Sequence, residues 1–132
     1  RITIFFSGEV HIVDQMIKQL GKIPDVAAVQ LHKPEDAVYR GMTLIKVKSS
    51  ANNRLDILKI AELFRARVID VQATTLIFEI TGQDEKVLAF TRLLEPYGIL
   101  EIIRTGQIAL ERGEQTITSN KKKNSFYGKN ML

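Results

Sequence analysis

The chain has 132 residues, 45% hydrophobic and 26% charged, with a formal net charge of +4. That is the composition of a globular protein with enough apolar residues for one domain or two small ones. No apolar run approaches the roughly 18 residues of a membrane-spanning helix, and the absence of cysteine excludes disulfides, thiolate metal sites and cysteine nucleophiles.

The positive excess is local. Residues 1–111 hold 14 Lys and Arg against 14 Asp and Glu. The surplus comes from Arg112, Lys121, Lys122, Lys123 and Lys129, opposed only by Glu114. The patterned part of the chain therefore presents no net field that would attract nucleic acid or an anionic membrane. The chain opens on Arg1 without an initiator Met, so residue 1 is expected not to be the natural start, and its first segment lacks the basic start and apolar stretch of a secretory signal.

Arg1 to Ser7 (RITIFFS) is rich in β-branched and aromatic residues and reads as a strand. Ser7-Gly8-Glu9 turns the chain into a helix, whose apolar face is Val13, Met16, Ile17 and Leu20 at helical spacing. Gly21 ends that helix, Pro24 prevents its resumption, and Val26 to Leu31 reads as a second strand. Strand, helix and strand alone cannot bury their apolar residues, so a companion half is expected upstream of Arg1 or from another chain. His32 to Tyr39 is polar, contains Pro34 and reads as a linker.

From Met42 the pattern is fuller. Met42 to Lys48 alternates, with Thr43, Ile45 and Val47 on one face and Leu44, Lys46 and Lys48 on the other, as a half-buried strand does. Asn52 or Asn53 is placed to cap a helix from about Arg54 to Phe64. Its stripe is Ile57, Ile60, Ala61 and Phe64, widened by Leu55 and Leu58. Arg67 to Val71 and Leu76 to Thr81 are the next two strands, antiparallel across a turn at Gln72 to Thr74. Gly82-Gln83-Asp84 opens a helix with Val87, Phe90, Leu93 and Leu94 on its face, and Pro96 and Gly98 close it. Ile99 to Ile103 is the last strand, with Arg104 to Leu110 extending it or turning.

The order strand, helix, strand, strand, helix, strand is the ferredoxin-like split arrangement, an antiparallel sheet with both helices on one face. An internal echo at an offset of 74 residues pairs Gly8 with Gly82, Val13 with Val87, Met16 with Phe90, Leu20 with Leu94 and Val26 with Leu100. The fold class is therefore α+β, two tandem ferredoxin-like units of which the first is incomplete. Residues 114–132, with a KKKN run, read as a disordered basic tail.

Reactive constellations do not emerge. His11 and His32 lack partners at metal-ligand spacing and read as surface residues. Asp84 and Glu85 sit where a helix dipole favours acids. Gly8 and Gly82 are turn glycines, since neither extends to a phosphate-binding motif. Lys121-Lys122-Lys123 reads as a solubilising run rather than a nucleic-acid patch. Leu76 to Thr81 offers only Phe78 where an RNA-recognition module carries stacking aromatics. The residues support a non-catalytic protein that associates through its sheet edges.

Three segments carry a resemblance: NRLDILKIAELFRARVIDV, then LIFEITG, then FTRLLEPYGILEIIRTGQIALERG. They resemble the small regulatory subunit of acetolactate synthase (acetohydroxyacid synthase), most specifically in ELFRAR at Glu62 to Arg67, LLEPYGI at Leu93 to Ile99 and RTG at Arg104 to Gly106. Upstream, TIFFSGEVHIVDQMIKQLGKIPDVAAV is similar to the second half of that family's ACT domain. The resemblance implies residues 1–32 as the carboxy-terminal half of an ACT domain, 33–39 as linker and 40–113 as the carboxy-terminal ferredoxin-like domain. It also implies a regulator without catalytic, cofactor or metal residues of its own. Its partner would be a large catalytic subunit carrying thiamine diphosphate, Mg²⁺ and FAD, in the synthesis of valine, leucine and isoleucine. The regulator would raise the activity of that subunit and confer feedback inhibition by valine or a related amino acid, and ACT domains of two copies would pair.

The effector loop of the family would precede Arg1, so the effector-binding residues are unknown and residues 1–132 are expected not to bind valine. The resemblance and the AT-rich coding suggested by the tail imply bacterial cytoplasm or plastid stroma. A stand-alone ACT-type amino-acid-binding regulator is the alternative reading; a DNA-binding form of it would need a helix-turn-helix candidate. A ferredoxin-like enzyme would need a convergent polar site.

Overall fold

The computed structural model describes residues 1–119. The elements follow the apolar periodicity closely from residue 37 onward. In chain order they are α1 (Val10–Gly21), β1 (Ala37–Lys48), α2 (Arg54–Leu63), β2 (Arg67–Val71), β3 (Thr75–Gly82), α3 (Asp84–Leu94), a 3₁₀ turn (Glu95–Tyr97) and β4 (Ile99–Glu111). The chain divides into two units. One comprises Tyr39–Ile108, and the other comprises Arg1–Val38 with the segment from Ala109 onward, the division falling within β1 and β4.

The unit from Tyr39 to Ile108 is built on a four-stranded sheet of order β2-β3-β1-β4. β3 lies antiparallel to both β1 and β2. Contacts from Lys48 to Gly98, Lys46 to Glu101 and Met42 to Thr105 run in opposite senses along β1 and β4 and make that pair antiparallel too. Each split pair, β1 with β2 and β3 with β4, is thus separated by a strand of the other. Strand alternation puts Ile45, Val47, Leu76, Phe78 and Ile80 on one face. There they form a single core with Ile57 and Ala61 of α2 and Val87, Phe90 and Leu94 of α3. Both helices therefore cover the same face of the sheet, as the ferredoxin-like order requires.

Phe90 is the hub of that core. Its ring meets Phe78 edge-on, with centroids 5.9 Å apart at 87°, and Phe64 at 5.4 Å and 44°. The helical stripes are narrower than the sequence spacing suggests. Leu55 is 70% exposed and Leu93 46% exposed, whereas Thr91 is buried. Thr91 is accommodated because its hydroxyl donates back to the Val87 carbonyl at 2.8 Å, which satisfies the only polar atom its side chain brings inside. In β4 the half-buried Ile99 and Ile102 both pack on the core, so strict alternation is broken between them.

Capping also differs from expectation. The side chain of Asn53 does not reach into α2; its Oδ1 accepts the Ser50 N–H at 2.7 Å. The Arg54 N–H donates to the Ser50 carbonyl at 3.0 Å. Turn geometry thus starts at Ser50, and Asn53 closes it from the third position, the reciprocal half of a capping box. At the other end of α2, Arg65 adopts a positive φ of 54°. The Ala66 N–H donates to the Ala61 carbonyl at 2.9 Å, the bond that a left-handed residue at a helix end makes possible.

The second unit is sparser. α1 begins at Val10 and α3 at Asp84, matching the 74-residue echo. Val13, Met16, Ile17 and Leu20 are half-buried as the spacing predicts, but α1 has no fully buried residue. The strands expected at Arg1 to Ser7 and Val26 to Leu31 are not formed among the described residues. Topology explains this. By the echo they correspond to β3 and β4, and those two strands are not neighbours but flank β1. A split pair has no ladder without the strand between, and the described residues of this unit supply none.

The expected linker is also shorter than its composition suggests. Asp36 donates back to the Lys33 carbonyl in a turn at 3.1 Å, and β1 begins at Ala37, so Ala37 to Tyr39 is strand. Within this unit Arg1 donates to the Ala109 carbonyl at 3.1 Å, the Gln30 amide meets the Glu111 carboxylate, and the Arg112 N–H donates to the Asp36 carbonyl at 2.8 Å. Thr116 and Ser119 close a turn through reciprocal hydroxyl bonds. Of the tail expected at residues 114–132, Thr116 to Ser119 thus forms a turn, and the part from residue 120 onward, with its lysine run, lies outside the described residues.

Candidate interaction face

With α2 and α3 on one face of the sheet, the other face has no helix of this unit over it. By register, Leu44 of β1 stands opposite Glu79 of β3, and Lys46 opposite Ile77. Leu44, Lys46, Ile77 and Glu79 are all half-buried. The flanking strands add charge. Lys46 pairs with Glu101 of β4 at 3.5 Å, and Glu79 with Arg67 of β2 at 3.9 Å. The face is thus an apolar centre, Leu44 and Ile77, crossed by two ion pairs that span all four strands.

These pairs are largely exposed, with side-chain accessibilities of 40% and 59% for Lys46 and Glu101 and of 79% for Arg67, Glu79 being the half-buried member at 27%. Exposed pairs of this kind contribute about 0–1 kcal/mol to folding. Their value is in recognition. An apolar centre bounded by charges of both signs has the make-up of a protein-binding patch, where complementary charge fixes register and rejects wrong partners. The sequence signal for this face was the alternation of Leu44, Lys46 and Lys48; the cross-strand pairing of Glu79 and Glu101 was not legible from spacing.

The other singled-out residues take local roles. His11 is exposed near the start of α1, its Nδ1 3.3 Å from a Glu9 carboxylate oxygen. His32 is half-buried in the segment before β1. Asp84 and Glu85 lie in the first turn of α3. Gly8 and Gly82 precede helices, and a Cβ at either would come within 2.9 Å of a neighbouring side chain, Phe6 or Lys86. Among the described residues no group of three or more His, Asp or Glu side chains could hold a metal ion, and no helix is long and apolar enough to cross a membrane.

Comparison with known proteins points one way. Residues 40–113 match the family model described as the small subunit of acetolactate synthase. The chain is 39% identical over 115 residues to a probable acetolactate synthase small subunit of Archaeoglobus fulgidus, covering 87% of this chain and 72% of that protein. It is 40% identical over 121 residues to the acetolactate synthase small subunit of Mycolicibacterium smegmatis, covering 92% of this chain and 71% of the relative. Among solved structures, the acetolactate synthase small subunit of Thermotoga maritima superposes with a TM-score of 0.73 at 36% identity, covering 83% of this chain and 68% of that one.

Proposed function

The chain belongs to the acetolactate synthase small-subunit family, and from that premise we propose that it is a non-catalytic regulatory subunit that binds and activates the large catalytic subunit. The observation that carries this is the extent of the relationship, near 40% identity across about nine-tenths of the chain. In this reading residues 1–32 are the second half of an ACT domain and residues 40–113 the carboxy-terminal domain, with copies pairing through their ACT domains. Thiamine diphosphate, Mg²⁺ and FAD belong to the large subunit, which condenses 2-oxo acids at the start of branched-chain amino-acid synthesis. Feedback inhibition by valine or a related end product is transmitted by linkage: an effector that prefers one arrangement of the small-subunit pair shifts the large subunit between more and less active states, with couplings of about 1–3 kcal/mol.

The helix-free sheet face is the surface we assign to the large subunit, because its Lys46–Glu101 and Arg67–Glu79 pairs offer the charge pattern that a specific contact requires. The test is co-purification of the chain with its cognate large subunit and measurement of acetolactate formation. The expected result is a stable complex with raised activity; no complex and no stimulation would overturn the regulatory reading. Lys46→Glu combined with Glu79→Arg should weaken the complex at least about tenfold, the scale on which charged contacts act. Full stimulation by that variant would remove the assignment of the face while leaving the regulatory role standing.

A further inference from the structure

One end of the sheet in the Tyr39–Ile108 unit carries a cleft separate from the two ion pairs, to which Lys48 contributes from the same side of β1 as Leu44 and Lys46. β1 ends at Lys48 and the chain runs through Ser49 and Ser50 into α2; the β2–β3 turn and the 3₁₀ turn ending at Tyr97 close the other sides. The cleft is open to solvent on one side and has a volume of about 450 Å³, inside the range of roughly 300–1,000 Å³ typical of small-molecule sites.

The walls are braced without a ligand. The Ser49 N–H donates to the Thr74 carbonyl at 2.8 Å, and the Lys48 N–H to the Gly98 carbonyl at 2.9 Å. The Arg54 guanidinium donates to Ser49 Oγ at 3.1 Å, to the Gln72 carbonyl at 2.6 Å and to the Ala73 carbonyl at 2.8 Å. One side chain thus ties the start of α2 to β1 and to the β2–β3 turn. Gly98, at φ 98°, lets the Lys48 stem lie close: a Cβ there would stand 3.2 Å from Lys48 Cδ.

The chemistry of the lining is one-sided. Lys48 supplies a cation, and Ser50, Asn53, Thr74 and Thr75 supply neutral hydrogen-bonding groups. Tyr97 and Leu100 supply apolar surface, and no carboxylate lines the cleft. Lys48 takes part in no salt bridge among the described residues. Its charge is thus unpaired, while the start of α2 carries Asp56 in its first turn, outside the lining of the cleft. Such a field attracts an anion, and the Tyr97 and Leu100 surface adds affinity for a short hydrocarbon chain. A zwitterionic amino acid fits less well, because its ammonium would lie near Lys48 with no carboxylate to receive it.

We infer that this cleft binds a short-chain organic monocarboxylate. The Lys48 ammonium pairs with the carboxylate, Ser50 and Thr75 orient it, and Tyr97 and Leu100 cover the chain. The site goes beyond the regulatory reading and does not depend on it.

The test is an amide chemical-shift titration of the ¹⁵N-labelled full chain with isobutyrate, valine and inorganic phosphate. Isobutyrate should give saturable shifts centred on Ser50, Thr75 and Leu100, with valine and phosphate at least about tenfold weaker. A charge-assisted contact is commonly worth a factor of this size, so Lys48→Met should weaken isobutyrate at least about tenfold. Ser50→Asp, at an exposed position where an acid suits a helix start, should do the same while the spectrum stays dispersed. The proposal is overturned if wild-type protein shows no saturable shifts, if valine or phosphate binds as tightly as isobutyrate, or if Ser50→Asp binds isobutyrate like the wild type.

Discussion

Phe90 offers the sharpest check on the core. It is fully buried and touches two other rings, Phe78 edge-on and Phe64 tilted. Truncation to alanine would cost about 3–5 kcal/mol through lost transfer energy and an unfilled cavity. The unit from Tyr39 to Ile108, at roughly 0.05–0.15 kcal/mol per residue, has a total stability of only about 3.5–10 kcal/mol. Phe90→Ala should therefore leave much of the unit unfolded, and Phe90→Leu is the quantitative variant, with an expected loss of about 1–2 kcal/mol because most of the apolar volume is kept. A double-mutant cycle separates the ring contact from general burial. Phe78→Leu with Phe90→Leu should show a coupling of about 0.5–1.5 kcal/mol, the amount an edge-to-face pair adds beyond its area. Urea unfolding followed by far-ultraviolet circular dichroism measures both, with midpoints compared at an unchanged slope. A loss below about 0.5 kcal/mol for Phe90→Leu, within the range of surface substitutions, would show that Phe90 is not the hub described. Zero coupling with Phe78 would show that the edge-on geometry carries no energy.

Two further outcomes follow from backbone and turn chemistry. Arg65 holds a φ of 54° and is exposed, so Arg65→Gly should raise stability by about 0.5–1 kcal/mol by relieving left-handed strain; a fall in the thermal midpoint would refute this. Arg54→Met removes three donated bonds between α2, Ser49 and the β2–β3 turn and should cost about 1–3 kcal/mol. Hydrogen exchange at Thr74 and Thr75 should accelerate first, and Arg54→Lys should rescue little because one ammonium cannot reproduce the fork. Unchanged protection in Arg54→Met would mean the turn is held by its own backbone.

Local pattern determined most of the residue 37–111 region. The alternation of Thr43, Ile45 and Val47 set which face of β1 is buried, and all three are buried. The stripe of Val87, Phe90 and Leu94 set the face of α3, and the turn at Gln72 to Thr74 made β2 and β3 a hairpin. These features depend on contacts between residues close in the chain, so spacing alone carries them. The family was legible for a different reason: ELFRAR, LLEPYGI and RTG are strings specific enough to be matched as strings.

What spacing could not carry was decided by distant partners. The ion pairs Lys46–Glu101 and Arg67–Glu79 depend on which strand lies beside which. The absence of strands at Arg1 to Ser7 and Val26 to Leu31 has the same origin. Their sequences favour extended chain, yet a ladder needs a neighbour, and the strands they correspond to, β3 and β4, pair with β1 between them rather than with each other. The Lys48 cleft is a tertiary product as well, since its lining comes from the end of β1 and the segment into α2, from the β2–β3 turn, and from the 3₁₀ turn with the start of β4. Hydrophobic period fixes which side of an element is buried; the order of strands in the sheet, set by packing across long sequence separations, decides what the exposed sides and loop ends present to other molecules.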